Sequence, residues 1–243
     1  MAWALIVGVN FANDYSDGVR GTDDDRSGPL RLTGSGLVPP KRVKAAAFAC
    51  FGVAAVAGLA LALLSAWWLV LVGAACIAGA WFYTGGKNPY GYRGLGEVAV
   101  FVCCGRVAVL GTEFTQSGRI SWPGVVAAVA IGAISASVNL ANNLRDIPSD
   151  TEAGKVTLAV RLGDAGTRKA WVALACTPLV ASVALAFATP WARAGLVAAP
   201  LIFVASRPVT GNAKGPALIP VLGMAGRAML LWAVVTALAL ALG

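Results

Sequence analysis

Long apolar runs separated by short polar stretches make up most of the chain. Runs at 2–12, 43–64, 67–83, 97–112, 123–143, 170–189, 193–206 and 220–242 match, or nearly match, the helix length that crosses a hydrocarbon core of about 30 Å. Eight such segments, the first only half a span, predict an all-α polytopic membrane bundle, since open sheet edges cannot face lipid. Gly58, Gly73, Gly79 and Gly132 lie within the runs and would let helices approach closely.

The polar positions at the ends of two runs follow a second pattern. Val9-Asn10-Phe11-Ala12-Asn13-Asp14-Tyr15-Ser16-Asp17 and Val138-Asn139-Leu140-Ala141-Asn142-Asn143-Leu144-Arg145-Asp146 share Val, Asn, Ala, Asn and Asp at matching places. Internal similarity of this kind predicts two pseudo-repeated halves around a central cavity. Asn10, Asn13, Asp14 and Asp17 fall at i, i+3, i+4 and i+7, which is one face of a helix. Asn139, Asn142, Asn143 and Asp146 repeat that spacing. Faces this polar turn away from lipid, toward the bundle interior or a wet cavity at its mouth. Pro148 disfavours helix at Ile147, which places Asp150 just beyond the helix end.

Composition narrows the class. Of 243 residues, 58% are apolar and 12% charged, about half the charged share of a soluble domain. A disordered chain, a secreted disulfide scaffold and an ordinary cytosolic enzyme are excluded. There is no histidine, which removes an imidazole base, a His-containing triad and a His metal ligand. Cys50, Cys76, Cys103, Cys104 and Cys176 all lie in apolar segments without a C-x-x-C pair and read as small buried hydrophobes.

Charge sets the orientation. Most of the 19 Lys and Arg fall in alternate loops, 13–42, 84–96, 144–169 and 207–219, and the positive-inside rule turns these loops to the cytoplasmic side of the cell membrane. That anchoring, with an anionic ligand, accounts for a net charge of +8 without any nucleic acid. With loop 13–42 inside, Met1 lies at or beyond the outer face and no signal sequence delivers it there. The expectation is one domain, 1–243, N-terminally incomplete and lacking an upstream helix.

The carboxylates are as unevenly placed. All but Glu97 and Glu113 sit in two of the basic loops, as Asp14, Asp17, Asp23, Asp24 and Asp25 and as Asp146, Asp150, Glu152 and Asp164. Carboxylate and amide oxygens without imidazole suit Mg²⁺, which usually keeps waters and binds through a few carboxylates plus substrate phosphates. Arg20, Arg26, Lys155 and Arg161 supply charge against a diphosphate. The expected ligand is a lipid diphosphate held through magnesium at the mouth of an apolar tunnel.

Asn13-Asp14-x-x-Asp17 together with Asn142-x-x-x-Asp146-x-x-x-Asp150 resembles the two aspartate-rich motifs of the UbiA superfamily of intramembrane prenyltransferases. The strings NDYSDGVRGTDDDRSGPLRL (13–32), YTGGKNPYGYRGLGE (83–97) and NNLRDIPSDTEAGKVTLAVRLG (142–163) are similar to its 1,4-dihydroxy-2-naphthoate polyprenyltransferase branch, which serves menaquinone synthesis. The resemblance runs over essentially the whole chain. The last aspartate of the first motif would fall on Gly21, with Asp23 in its place two residues later, and Asn142 stands where the general second motif has Asp. Both departures resemble that branch. The resemblance also implies a first transmembrane helix upstream of Met1, in line with the expected N-terminal incompleteness.

The resemblance implies transfer of a polyprenyl group from an allylic polyprenyl diphosphate to 1,4-dihydroxy-2-naphthoate, with loss of CO₂ and diphosphate, giving demethylmenaquinone. It assigns Asn13, Asp14, Asp17, Asp23, Asn142, Asp146 and Asp150 to magnesium and diphosphate, with Asp17, Asp146, Asn13 and Asn142 catalytic. Arg20, Lys155 and Arg161 would contact the diphosphate. Tyr83, Lys87, Tyr90 and Tyr92 would form an acceptor-recognising cap whose aromatic faces shield a carbocation.

Plainer readings stand beside these. The Asn residues can cap helices, Lys155 can be membrane-surface charge, and Tyr90 and Tyr92 can belong to an interfacial aromatic belt. Glu97 reads as a first-turn helix charge, Arg145 as an orienter of Asp146, and Arg227 as a snorkelling side chain. Arg106, near the middle of its run, has no partner legible in the sequence. Other acceptors (4-hydroxybenzoate, haem, a chlorophyll precursor or a sugar phosphate) stay open, as does a non-catalytic membrane protein. A transporter or magnesium channel would need polar residues along the whole path, and here the outer half of every run is apolar. Membrane lipid is the surrounding medium, and no protein partner is implied.

Overall fold

Every regular element among the described residues is helical, as burial of backbone polar groups in lipid requires. The computed structural model describes residues 1–21 and 30–243. In chain order the helices are α1 (Ala2–Arg20), α2 (Pro40–Leu64), α3 (Leu69–Phe82), α4 (Gly96–Ser117), α5 (Trp122–Arg145), the short α6 (Ile147–Glu152), α7 (Leu158–Leu185), α8 (Pro190–Thr210) and α9 (Gly215–Leu242). Each apolar run of the sequence lies on one of them. Six of these helices, α2, α4, α5, α7, α8 and α9, are long and apolar enough to cross a membrane, and α3 is a shorter apolar helix. The final turns of α1 carry Asp14 and Asp17, so only its first part is apolar.

Two compact units divide the chain: Met1–Gly96 with Pro148–Thr157, and Glu97–Ile147 with Leu158–Gly243. In the first unit α1 packs on α2 and α3, around Ala12, Ala47 and Phe51 with Leu5, Phe11, Ile77 and Trp81 against them. Helix α1 ends at Gly21, whose φ of 73° lies in the left-handed region and whose N–H bonds the Asp17 and Gly18 carbonyls. Glycine takes that conformation without the Cβ penalty.

In the second unit α5 is the central helix, contacting α4, α7 and α9. Trp171, Trp232, Ile134, Leu140 and Leu185 are fully or almost fully buried in its core, and the Trp232 indole donates to Ser182 Oγ at 2.9 Å. Helix α4 contains a π-helical stretch, Phe101–Leu110. There Gly105 meets α5 so closely that a Cβ would lie 2.3 Å from the Ala128 carbonyl oxygen and 2.8 Å from Gly132 Cα. A Cβ on Gly132 would stand 2.7 Å from the Phe101 carbonyl oxygen.

Of the glycines expected at helix contacts, Gly132 is therefore at one. Gly58 and Gly73 face the Met1 side chain, and Gly79 lies near the Tyr90 hydroxyl. Arg106 is exposed, with its guanidinium 5.5 Å from the centre of the Phe101 ring. That ring face is a partner the sequence did not disclose.

Two polar features also depart from the sequence expectation. The helical path does not stop at Pro148. It breaks instead at Asp146 (φ −94°, ψ 7°), and α6 starts at Ile147. Pro148 then sits in the first turn, where a missing N–H leaves no bond unmade, and Asp150 lies inside α6. Arg168, one of the loop charges in the sequence, is buried. It bonds both Asp164 oxygens at 2.6 and 2.8 Å and donates to the Val209 and Ala213 carbonyls at 2.6 and 2.8 Å, closing the C-terminal end of α8.

The contact of α4 with α5 leaves no room for a side chain at Gly105. Gly105→Val should cost about 1–3 kcal/mol through overpacking. Gly52→Val, at an exposed helical position with nothing within 4 Å of a Cβ, should change the melting temperature far less. Thermal unfolding of both variants in the same detergent checks this, and equal melting temperatures would remove the close contact as a determinant of stability.

Candidate functional site

The polar face of α1 engages a different partner at each step. Asn10 is exposed and donates to the Ile6 carbonyl at 2.8 Å. Asn13 Oδ1 accepts from the Thr84 hydroxyl at 2.9 Å. Asp14 accepts the Leu32 and Thr33 backbone N–H groups, one on each oxygen, at 2.8 Å, which ties the returning chain to the helix. Asp17 accepts from the Tyr92 hydroxyl at 2.7 Å. One turn beyond Asp17, Arg20 donates to the Thr84 and Gly86 carbonyls and stands 5.3 Å from the Tyr92 ring centre.

The 148–157 segment belongs to the same unit. Its Lys155 ammonium lies 3.2 Å from Asp150 Oδ1 and 5.2 Å from the Tyr92 ring centre. Thr157 Oγ1 is 3.4 Å from Asp150 Oδ2, and the Val156 N–H donates to the Tyr92 carbonyl at 3.0 Å. Tyr90 donates to the Gly79 carbonyl at 2.7 Å, and its ring meets Tyr83 edge-on at 5.6 Å. Lys87 is exposed in this loop. Asp23, Asp24, Asp25 and Arg26 lie outside the described residues.

In the second unit, Arg145 forms a two-bond pair with Asp146, Nε to Oδ1 and Nη2 to Oδ2, each at 2.6 Å. The Arg145 side chain is 1% exposed, so it is an internal counter-charge. Asn142 is half-buried, and its carbonyl accepts the Asp146 N–H at 3.2 Å. Asn139 and Asn143 both donate to Glu97 Oε1, at 3.1 and 2.6 Å. Glu97 is 4% exposed and is a polar anchor that its first-turn position did not reveal. Its signal in the sequence was its isolation: with Glu113 it is a carboxylate outside the acidic loops. Arg161 is exposed.

The matched strings can now be compared atom by atom. Where the first has Asp14, the second has Asn143. Asp14 faces backbone N–H donors and must accept, whereas Asn143 faces the Glu97 carboxylate and must donate. A carboxylate at each place would leave one of them against a like charge.

The acids and amides of each unit offer the oxygen-only donor chemistry that magnesium prefers. Asp17, Asp146 and Asp150 are each 6% exposed, they offer oxygen alone, and each already lies beside a hydroxyl, guanidinium or ammonium donor. Among the described residues no three of His, Cys, Asp and Glu gather into a self-sufficient metal cage.

A multi-pass membrane protein with buried acids, amides and flanking cations at its helix ends defines a class that handles an anionic group beside an apolar interior. Residues 1–217 match the UbiA prenyltransferase family, and the chain belongs to that family. It is 59% identical over 243 residues to the 1,4-dihydroxy-2-naphthoate octaprenyltransferase of Mycobacterium tuberculosis, across 100% of this chain and 83% of the relative. The Escherichia coli protein of that name is 35% identical over 223 residues, 88% of this chain and 72% of its own length. The UbiA prenyltransferase domain-containing protein 1 of Gallus gallus is 32% identical over 158 residues, 64% of this chain and 47% of the relative.

The donor–acceptor match at Glu97 generates a test. Asn143→Asp should destabilise the protein by about 1–3 kcal/mol, the cost of a lost buried hydrogen bond, and adding Glu97→Gln should recover most of the loss by exchanging donor and acceptor. A double-mutant cycle of melting temperatures measures the coupling. Strict additivity would show that Glu97 and Asn143 do not interact.

Proposed function

We propose that this chain transfers a polyprenyl group from an allylic polyprenyl diphosphate to 1,4-dihydroxy-2-naphthoate, with loss of diphosphate and CO₂. The observation that carries the reading is the 59% identity, along the entire chain, to mycobacterial enzymes named for this reaction. The buried acids and neighbouring cations give it a chemical basis. The basic loops orient these residues toward the cytoplasm of the cell membrane.

Asp17 and Asp146 would be the principal metal-holding residues, each from its own unit, with the Asn13 and Asn142 side-chain oxygens and Asp150 in support. Asp14 contributes by anchoring residues 32 and 33 to α1, and Asp23 joins the set by resemblance. When bound, magnesium supplies positive charge that stabilises the departing diphosphate. Arg20 and Lys155 add fixed positive charge near Asp17 and Asp150. The allylic C–O bond breaks with its electron pair on the diphosphate, and a ring carbon of the acceptor bonds the allylic carbon. The carboxyl group leaves as CO₂ and returns its bonding pair to the ring. The product is the reduced, quinol form of demethylmenaquinone, so no oxidant is consumed. The chain needs no nucleophile of its own. Its work is electrostatic stabilisation and exclusion of water from the cation.

Asp17→Asn and Asp146→Asn should each lower prenyl transfer by about 100-fold or more while membrane insertion persists. Turnover within a few-fold of the parent at saturating Mg²⁺ would take these residues out of the catalytic set. Chelation with EDTA should abolish activity, and Mg²⁺ or Mn²⁺ should restore it; full activity in metal-free buffer would exclude the mechanism. A panel of acceptors with a single prenyl diphosphate checks the substrate, since preferred use of 4-hydroxybenzoate would reassign it.

A further inference from the structure

Tyr92 makes four separate contacts with two stretches of chain that are far from it in sequence. Its hydroxyl donates to Asp17 Oδ1 at 2.7 Å. Its ring centre is 5.3 Å from the Arg20 guanidinium carbon and 5.2 Å from the Lys155 ammonium. Its carbonyl accepts the Val156 N–H at 3.0 Å. The turn that holds it, Tyr90–Arg93, is closed by Gly94 with φ 75°.

We propose that Tyr92 is the positioning residue that sets Asp17 for metal and keeps Arg20 and Lys155 ready for diphosphate, an inference that rests on the prenyl-transfer reading above. A hydroxyl donating to a carboxylate makes a charge-assisted bond and fixes the direction of the other oxygen. Arg20 and Lys155 carry like charge, and an aromatic face attracts both without neutralising either. The hydroxyl therefore acts on metal through Asp17, and the ring acts on diphosphate through the two cations. These two effects are separable by substitution: Tyr92→Phe removes only the first, while Tyr92→Leu removes both.

The test uses the full chain in lipid nanodiscs. Its probes are farnesyl thiodiphosphate, which resists ionisation, and Mn²⁺, whose binding is read by electron paramagnetic resonance without turnover. Tyr92→Phe should weaken Mn²⁺ binding in the presence of the thiodiphosphate by about 10-fold. It should raise the Mg²⁺ concentration for half-maximal transfer in parallel, with metal-free thiodiphosphate binding unchanged and the metal effect persisting at temperatures where the variant is fully folded. Tyr92→Leu should in addition weaken metal-free thiodiphosphate binding, by about 3-fold or more.

Unchanged Mn²⁺ and Mg²⁺ dependence in Tyr92→Phe overturns the inference, even with an active parent. So does a Tyr92→Phe defect that follows the melting temperature and leaves metal affinity alone. If Tyr92→Leu fails to fold, Tyr92→Phe decides by itself. A parent protein that neither binds the thiodiphosphate nor transfers prenyl groups overturns the prenyl-transfer reading, and this inference with it.

Discussion

A carboxylate taken out of water must be matched by positive charge or hydrogen-bond donors, and the surroundings of the buried acids in each unit are organised by that requirement. Asp14, Asp17, Asp146 and Asp150 are each 6% exposed, and stripping an ion of its hydration costs several kcal/mol. The chain meets the cost with a different donor each time. Backbone amides serve Asp14, a phenol serves Asp17, a guanidinium serves Asp146 and an ammonium serves Asp150. Each donor comes from a particular stretch of chain, so satisfying the acids also folds the loops that surround them.

The basic side chains show the same requirement from the other side. In sequence, Arg20, Arg145, Lys155, Arg161 and Arg168 all count as positive charge on alternate loops, and Arg145 alone stands beside an acid it could orient. In the folded chain Arg145 is an internal counter-ion and Arg168 ties Asp164 to the end of α8. Arg20 grips two carbonyls of the loop after α3, and Lys155 joins Asp150 to the Tyr92 ring. Arg161 is left exposed. The charges that the positive-inside rule reads as orientation signals thus also build local structure, in a chain with only 12% charged positions.

The pseudo-repeat illustrates how far a matching string constrains structure. Asn10 and Asn139 occupy equivalent places, yet the first bonds its own helix and the second bonds Glu97. Asp17 and Asp146 are equivalent as well, and one meets a tyrosine while the other meets the arginine beside it in sequence. The helical face was legible because a 3.6-residue period converts spacing directly into direction. The partners were not, because they arrive from elements with no fixed spacing to the motif. Glu97 and Tyr92 are the plainest cases: both were visible as residues, and neither disclosed its contact.

The sequence by itself determined that the chain is helical, crosses a membrane several times, and collects its acids and amides on two helix faces. Those outcomes follow from hydrophobic run length, helical periodicity and the cost of unpaired backbone groups in lipid, all of which are local properties of the chain. Tertiary structure alone decided that α5 runs only to Arg145 and α6 begins beyond it, that Gly105 admits close contact with α5, and that Asn143 rather than Asp suits a site facing Glu97. It also decided which cations are internal. The physical reason is that hydrogen bonds, charge pairing and steric contact act within a few ångströms, and only the folded chain determines which distant residues come that near.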